Sequence, residues 1–146
     1  MTRPIWRYFF FALVASLSLK SAAAADLIVK VTGIRNANGI VRMAIYDTPE
    51  EFPKGKKVTS RNVKAATAVG GVMSVKIGDL SPGRYALALH HDENENKEMD
   101  FYLFILPAEG YGFSNDARVI FSAPTFEAAS FDLTEDKLTI SVELRY

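Results

Sequence analysis

The sequence predicts an all-β protein: a single antiparallel β-sandwich of about seven strands. Three observations lead there. Short stretches alternate in polarity, as where Leu27, Val29 and Val31 interleave with Ile28, Lys30 and Thr32. Turn-forming pairs separate these stretches, among them Asn38-Gly39, Gly70-Gly71 and Pro82-Gly83. And beyond residue 25 no segment of useful length carries the i, i+3, i+4 spacing of an amphipathic helix.

The elements follow in order. Arg3 and Arg7, an apolar run from Tyr8 to Leu19 and small residues from Ala22 to Ala25 read as a cleaved secretory signal over residues 1–25. The apolar run falls short of the roughly 20 residues of a membrane span. Residues 26–146 then form one domain, periplasmic or secreted, with no stable membrane insertion after cleavage. A first strand covers Leu27 to Val31. Asn38-Gly39 is a strong hairpin signal before a second strand, Ile40 to Tyr46. The polar stretch Asp47 to Arg61 is a long crossover or flap, with room for one helical turn near Glu50 to Phe52. A weaker strand spans Val63 to Val69, and another Val72 to Ile77.

Pro82-Gly83 suits a type II turn, with Gly83 taking the positive φ. Tyr85, Leu87 and Leu89 then share one face of a strand and Ala86, Ala88 and His90 the other. Ser130 to Leu133 and Leu138 to Leu144 look like a closing hairpin. The alternation of Leu138, Ile140, Val142, Leu144 and Tyr146 also suits a small outer-membrane β-barrel. Barrel strands, however, need about 9–11 residues each, and these segments are shorter.

Composition excludes several classes. The chain has no cysteine, so neither a disulfide nor a lipid-modified cysteine is available. Removing Arg3, Arg7 and Lys20 from the 17 basic residues leaves 14 against 17 acidic, a net of −3. That weakly acidic balance offers no footprint for nucleic acid.

The strand through His90 delivers the chain into HHDENENKEMDF, which places Asp92, Asn94, Asn96 and Asp100 at positions one, three, five and nine of a loop. Oxygens at alternate residues converge when a loop curls, and calcium takes six to eight of them. Five acids and one base occupy residues 92–100, so an empty loop would repel itself. The candidate calcium ligands are Asp92, Asn94, Asn96, Asp100 and the backbone carbonyl of Glu98. Lys97 replaces the sharp-turn glycine of an EF-hand and Leu103 its closing glutamate, so affinity would be on the order of 10⁻⁴–10⁻³ M. The competing reading is a loop closed by Asx-turns. Zinc lacks its three or four N/S ligands, because His90 and His91 point to opposite faces of a strand. One of them would pack at the strand end and the other face solvent.

The segments LSPGRYALALHHDENENKEMD, LPAEGYGFSNDA and APTFEAASFDL resemble a family of exported bacterial proteins known as domain of unknown function 2141. The elements that carry the resemblance are Pro82, Gly83 and Tyr85; His91, Asp92, Asn94, Asn96 and Asp100; Pro107 and Glu109 through Asn115; and Pro124, Phe126 and Ala129. Lys97 stands where that family commonly has glycine, and Phe104-Ile105-Leu106 where a glycine often precedes the proline. The resemblance implies an exported compartment and says nothing of activity. At the level of fold, the Pro-Gly-x-Tyr turn and the Asp-x-Asn loop also resemble transthyretin-like and collagen-adhesin B-type modules, which implies an immunoglobulin-like or transthyretin-like sandwich.

The functional expectation is therefore a non-catalytic module of the cell envelope with a calcium-binding loop, its partner an envelope protein or a carbohydrate. His91, Glu109, Tyr111, Phe113, Ser114 and Asn115 form a candidate ligand or partner surface, since aromatics with polar neighbours suit sugars and peptides. The alternative is a hydrolase-like enzyme or enzyme subunit using the acidic loop and Glu109–Asp116. Ser114 lacks the second glycine of a nucleophile elbow, and a Glu109–Asp92 or Glu109–Asp116 carboxylate pair would need a spacing that sequence cannot supply.

Overall fold

The structure is a computed structural model and describes residues 24–103, 105–134 and 136–146. The expected signal lies outside the described residues except for Ala24 and Ala25. Ten strands form: β1 (Ala25–Thr32), β2 (Ile40–Tyr46), β3 (Thr59–Lys64), β4 (Met73–Leu80), β5 (Gly83–Asp92), β6 (Phe101–Tyr102), β7 (Leu106–Pro107), β8 (Gly110–Phe113), β9 (Ser130–Leu133) and β10 (Lys137–Glu143). One short helix, α1, spans Phe126–Ala129, with the Thr125 hydroxyl accepting from the Ala128 N–H.

Two sheets face each other. One has the order β10-β1-β4, and the other β3-β2-β5-β8 with β9 also on β5. They are separate and open among the described residues, so the barrel reading is overturned and the sandwich stands. β6 and β7 form a separate two-stranded hairpin. The strand count exceeds the expected seven mainly through these two-residue pieces. All pairings are antiparallel except β1 with β10, which run parallel.

Alternation builds the core. Leu27, Val29 and Val31 of β1, Val41, Met43 and Ile45 of β2, and Leu87 and Leu89 of β5 meet between the sheets. Each such side chain, taken from water to full burial, contributes about 1.5–3 kcal/mol. On the far side of the larger sheet lies a second apolar cluster of Tyr46, Ala86, Phe113, Phe126 and Ala129. Phe52 joins it edge-on, 5.5 Å from Tyr46 and 5.8 Å from Phe113 between ring centroids.

Several local expectations change. Asn38-Gly39 does not close a hairpin: β1 and β2 lie in different sheets, and Gly39, at φ 64°, turns the chain across the sandwich edge. The 47–58 segment joins neighbouring antiparallel strands rather than crossing over, and it holds a single turn in which the Phe52 N–H donates to the Thr48 carbonyl at 3.3 Å. The weak strand forms earlier than expected, at Thr59–Lys64, and residues 65–67 are one 3-10 turn. Gly83 opens β5 without a positive φ; that conformation falls on Asp79, at 63°. Finally, β9 and β10 are not a hairpin, because β9 pairs with β5 while β10 pairs with β1 in the opposite sheet.

Candidate functional site

The outer face of the larger sheet carries the site, and strand register builds it. One cross-strand row runs Ser60, Ala44, Ala88, Phe113 and the next runs Asn62, Arg42, His90, Tyr111. Two alanines side by side leave a depression in the middle of a sheet. The aromatic cluster around Tyr46 closes one end and the loop at Lys97 and Met99 the other. The result is an open groove of about 680 Å³, within the roughly 300–1,000 Å³ of small-molecule sites. A second hollow of about 220 Å³ lies near Ile34 and Gly71; Arg35, its one charged side chain, is already paired with Glu93.

The acidic loop folds over the groove end, and its charges are met from the sheet. Asp92 is fully buried, accepting on Oδ2 from Arg42 Nε at 2.6 Å and from the Lys97 N–H at 3.0 Å. Burial pushes its carboxyl up, but the Arg42 hydrogen bond, the Lys97 N–H and the charges of Arg42 and His90 outweigh that and hold it below the usual carboxylate range. Glu93 binds Arg35 Nε at 2.7 Å and Asn36 Nδ2 at 3.0 Å. These bonds likewise overcome its burial and lower its pKa. Glu95 pairs with Lys64 at 2.7 Å. Three of the five acids thus pair with basic side chains from elsewhere in the chain, which offsets much of the loop's expected self-repulsion.

The proposed calcium ligands are partly drawn together. Asn94 Nδ2 donates to Asp100 Oδ2 at 2.6 Å, and Asn96 Nδ2 lies 3.2 Å from Asp100 Oδ1. The two amide oxygens are spent inside the loop. Asn94 Oδ1 accepts from the Asn96 N–H at 3.0 Å and Asn96 Oδ1 from the Glu98 N–H at 2.7 Å. Asx-turns and amide donors therefore occupy the convergence point. Among the described residues no three His, Asp or Glu side chains gather as a metal cluster would. Asp92 Oδ1 is the one described side-chain atom buried without a hydrogen-bond partner.

Glu109 is a structural tie. It is 4% exposed, and its Oε1 accepts from the Glu93 N–H at 2.8 Å while Oε2 takes His90 Nε2 at 2.8 Å. His91 is also buried, between the Asn38 carbonyl at 2.8 Å from Nε2 and the Tyr146 hydroxyl at 2.7 Å from Nδ1. A carbonyl can only accept, so Nε2 carries a hydrogen and donates it to Asn38. Both histidines are thus paired, and neither simply faces solvent.

Ser114 and Asn115 serve the sheet. β8 and β9 share one edge of β5 end to end, leaving Leu87 at the seam. Ser114 Oγ fills that gap, accepting from the Leu87 N–H at 2.9 Å and donating to the Ala129 carbonyl. Asn115, at φ 59°, donates to the Ser130 carbonyl at 2.7 Å. Of the six surface residues expected from sequence, only Tyr111 and Phe113 line the groove.

Sequence reasoning missed Arg42, Lys54, Lys57 and the Ala44–Ala88 floor, which register alone brings together. It also missed an apolar projection. Phe101, Tyr102, Leu103, Ile105 and Leu106 are 52–84% exposed on and around the β6–β7 hairpin. The uninterrupted apolar run at 101–106 was the available signal. No helix of the described residues is long and apolar enough to cross a membrane.

Fold and site together define an all-β sandwich with an open groove on one outer sheet face. The chain belongs to the family described as "Uncharacterized protein conserved in bacteria (DUF2141)", whose model matches residues 29–141. No curated protein and no solved structure matches it.

Proposed function

We propose that this chain is a non-catalytic binding module of the bacterial cell envelope, periplasmic or secreted, whose ligand seat is the groove over Ala44 and Ala88. The groove itself carries the reading: a ligand-sized hollow with aromatic and cationic walls on a rigid sheet face. A binding role is further supported by Ser114 and Glu109, which spend their polar atoms on structural hydrogen bonds. The test is a ¹H-¹⁵N NMR titration of the chain from Asp26 to Tyr146 with a panel of envelope saccharides. Shifts centred on amides of β2, β5 and β8 support the seat. Binding that perturbs only other surfaces, or no binding across the panel, overturns it.

The calcium loop is a second reading. Its favouring observation is the unpartnered Asp92 Oδ1 at the root of the loop, an oxygen that a cation would satisfy. Against a dissociation constant of about 10⁻⁴ M, millimolar calcium would stabilise the protein by about 1.4 kcal/mol. Thermal unfolding after chelation, with and without calcium, checks this beside Asp100→Asn. A rise in midpoint that the variant lacks supports the ion. Identical midpoints leave the loop held by its own donors.

A further inference from the structure

The groove is electrically one-sided. Lys54, Lys57 and Lys97 line it and have no ion-pair partner among the described residues, while no described Asp or Glu side chain lines it. This happens in a domain with a net charge of −3 from Asp26 onward, so the cation excess is local. The lysines come from two separate segments, 47–58 and the acidic loop. Lys97 holds φ at 71°, a left-handed conformation that a non-glycine residue adopts only under strain. Strain at the rim of a site is a pointer to use.

The remaining lining suits rings that carry hydroxyls. Tyr111 presents aromatic surface beside the alanine floor, backed by the largely buried Phe113. On the opposite side Ser60 and Asn62 are exposed, and neither side chain has a described hydrogen-bond partner. An aromatic wall takes the apolar C–H face of a sugar ring, while free hydroxyl and amide groups exchange hydrogen bonds with its hydroxyls.

Resting on the groove as the ligand seat, we infer that its ligand is an acidic oligosaccharide, sugar rings bearing carboxylates. The carboxylates meet Lys54, Lys57 and Lys97, and the rings lie over Ala44 and Ala88 against Tyr111. Arg42 and His90 contribute less, because Asp92 and Glu109 already hold them.

The test is calorimetric titration of the Asp26–Tyr146 chain at low salt with trigalacturonate, with neutral maltotriose and with phosphatidylglycerol vesicles. The variants are the triple Lys54→Gln/Lys57→Gln/Lys97→Gln and, separately, Ala88→Leu, each checked for an unchanged unfolding midpoint. The inference expects trigalacturonate to bind well above maltotriose, about tenfold more weakly in the triple variant, and not at all in Ala88→Leu. Rising salt should weaken it in the wild type and not in the triple variant. Equal binding of both sugars, lost in Ala88→Leu, keeps the groove as the seat but overturns the acidic ligand. Trigalacturonate binding that survives Ala88→Leu overturns both readings. Binding of vesicles alone, or of no probe, overturns the acidic-saccharide inference, and the saccharide panel then decides the seat independently.

Discussion

Arg42→Met should reverse the pH response of the loop. In the wild type Asp92 is fully buried and Arg42 one-fifth exposed, with Nε 2.6 Å from Oδ2. Removing one partner of a buried pair typically costs about 3–5 kcal/mol, out of a total near 5–15 for a domain. In the wild type Asp92 titrates below the unfolded value of about 3.9, so its stabilisation is present above that pH and fades as pH falls through the folded pKa. In the variant, burial is opposed only by the Lys97 N–H and the more distant His90. The folded pKa then exceeds the unfolded one, and the carboxylate destabilises at neutral pH and is relieved by protonation. The stability gap between the two proteins should therefore be widest at neutral pH and narrow as pH falls toward about 4. Urea unfolding at several pH values measures it, and Asp92→Asn added to Arg42→Met should recover most of the loss at neutral pH. A gap below about 1 kcal/mol, or one that does not change with pH, would refute this account of the pair.

Three further outcomes are expected. Gly39→Ala should cost more than about 3 kcal/mol in denaturant unfolding, because φ is 64° and a Cβ there would lie 2.0 Å from the Asp92 carbonyl oxygen. Ser114→Ala should cost about 1–3 kcal/mol and speed hydrogen exchange at the Leu87 amide, whose acceptor is removed at the β8–β9 seam; an unprotected Leu87 amide in the wild type would contradict that role. Lys97→Gly should raise the free energy of unfolding modestly, by up to about 1 kcal/mol in denaturant titration, since glycine accepts φ of 71° freely, while weakening any anionic ligand of the groove.

What sequence made legible was local. The bounds of β2 are legible because a segment apolar except for Arg42 ends at Asp47 and a turn-rich stretch. The inward Tyr85, Leu87 and Leu89 followed from period-two alternation. Sheet membership was not legible, because it depends on partners far away in the chain. β10 reads as the mate of adjacent β9, yet it pairs with β1, whose Leu27, Val29 and Val31 lie opposite Leu138, Ile140 and Val142. The groove was hidden for the same reason. Ala44 and Ala88 look like ordinary small strand residues until register sets them side by side. The loop stands out by its charge, but that charge conceals that Arg35, Arg42 and Lys64 reach it from elsewhere.

Those three basic residues also decide how the groove rim is held. Arg42 and Lys64 sit on β2 and β3, so these partners of the acidic loop move with the sheet, while Arg35 holds it from the β1–β2 connection. Glu109, at the entrance to β8, adds a bond to the loop's first amide. A rim fixed by the floor keeps Lys97 over the groove before a ligand arrives, and pre-ordering of this kind spares a ligand the entropy of immobilising a loop. Glu109→Ala removes one such tie and also releases His90, the one groove-lining side chain that Glu109 holds. It should increase exchange at the Glu93 amide and weaken a groove ligand that engages Lys97, yet leave unchanged one that contacts only Tyr111 and the alanine floor. Equal weakening of both ligands would mean that Glu109 supports the whole sheet face and that the rim has no separate mobility for it to restrain.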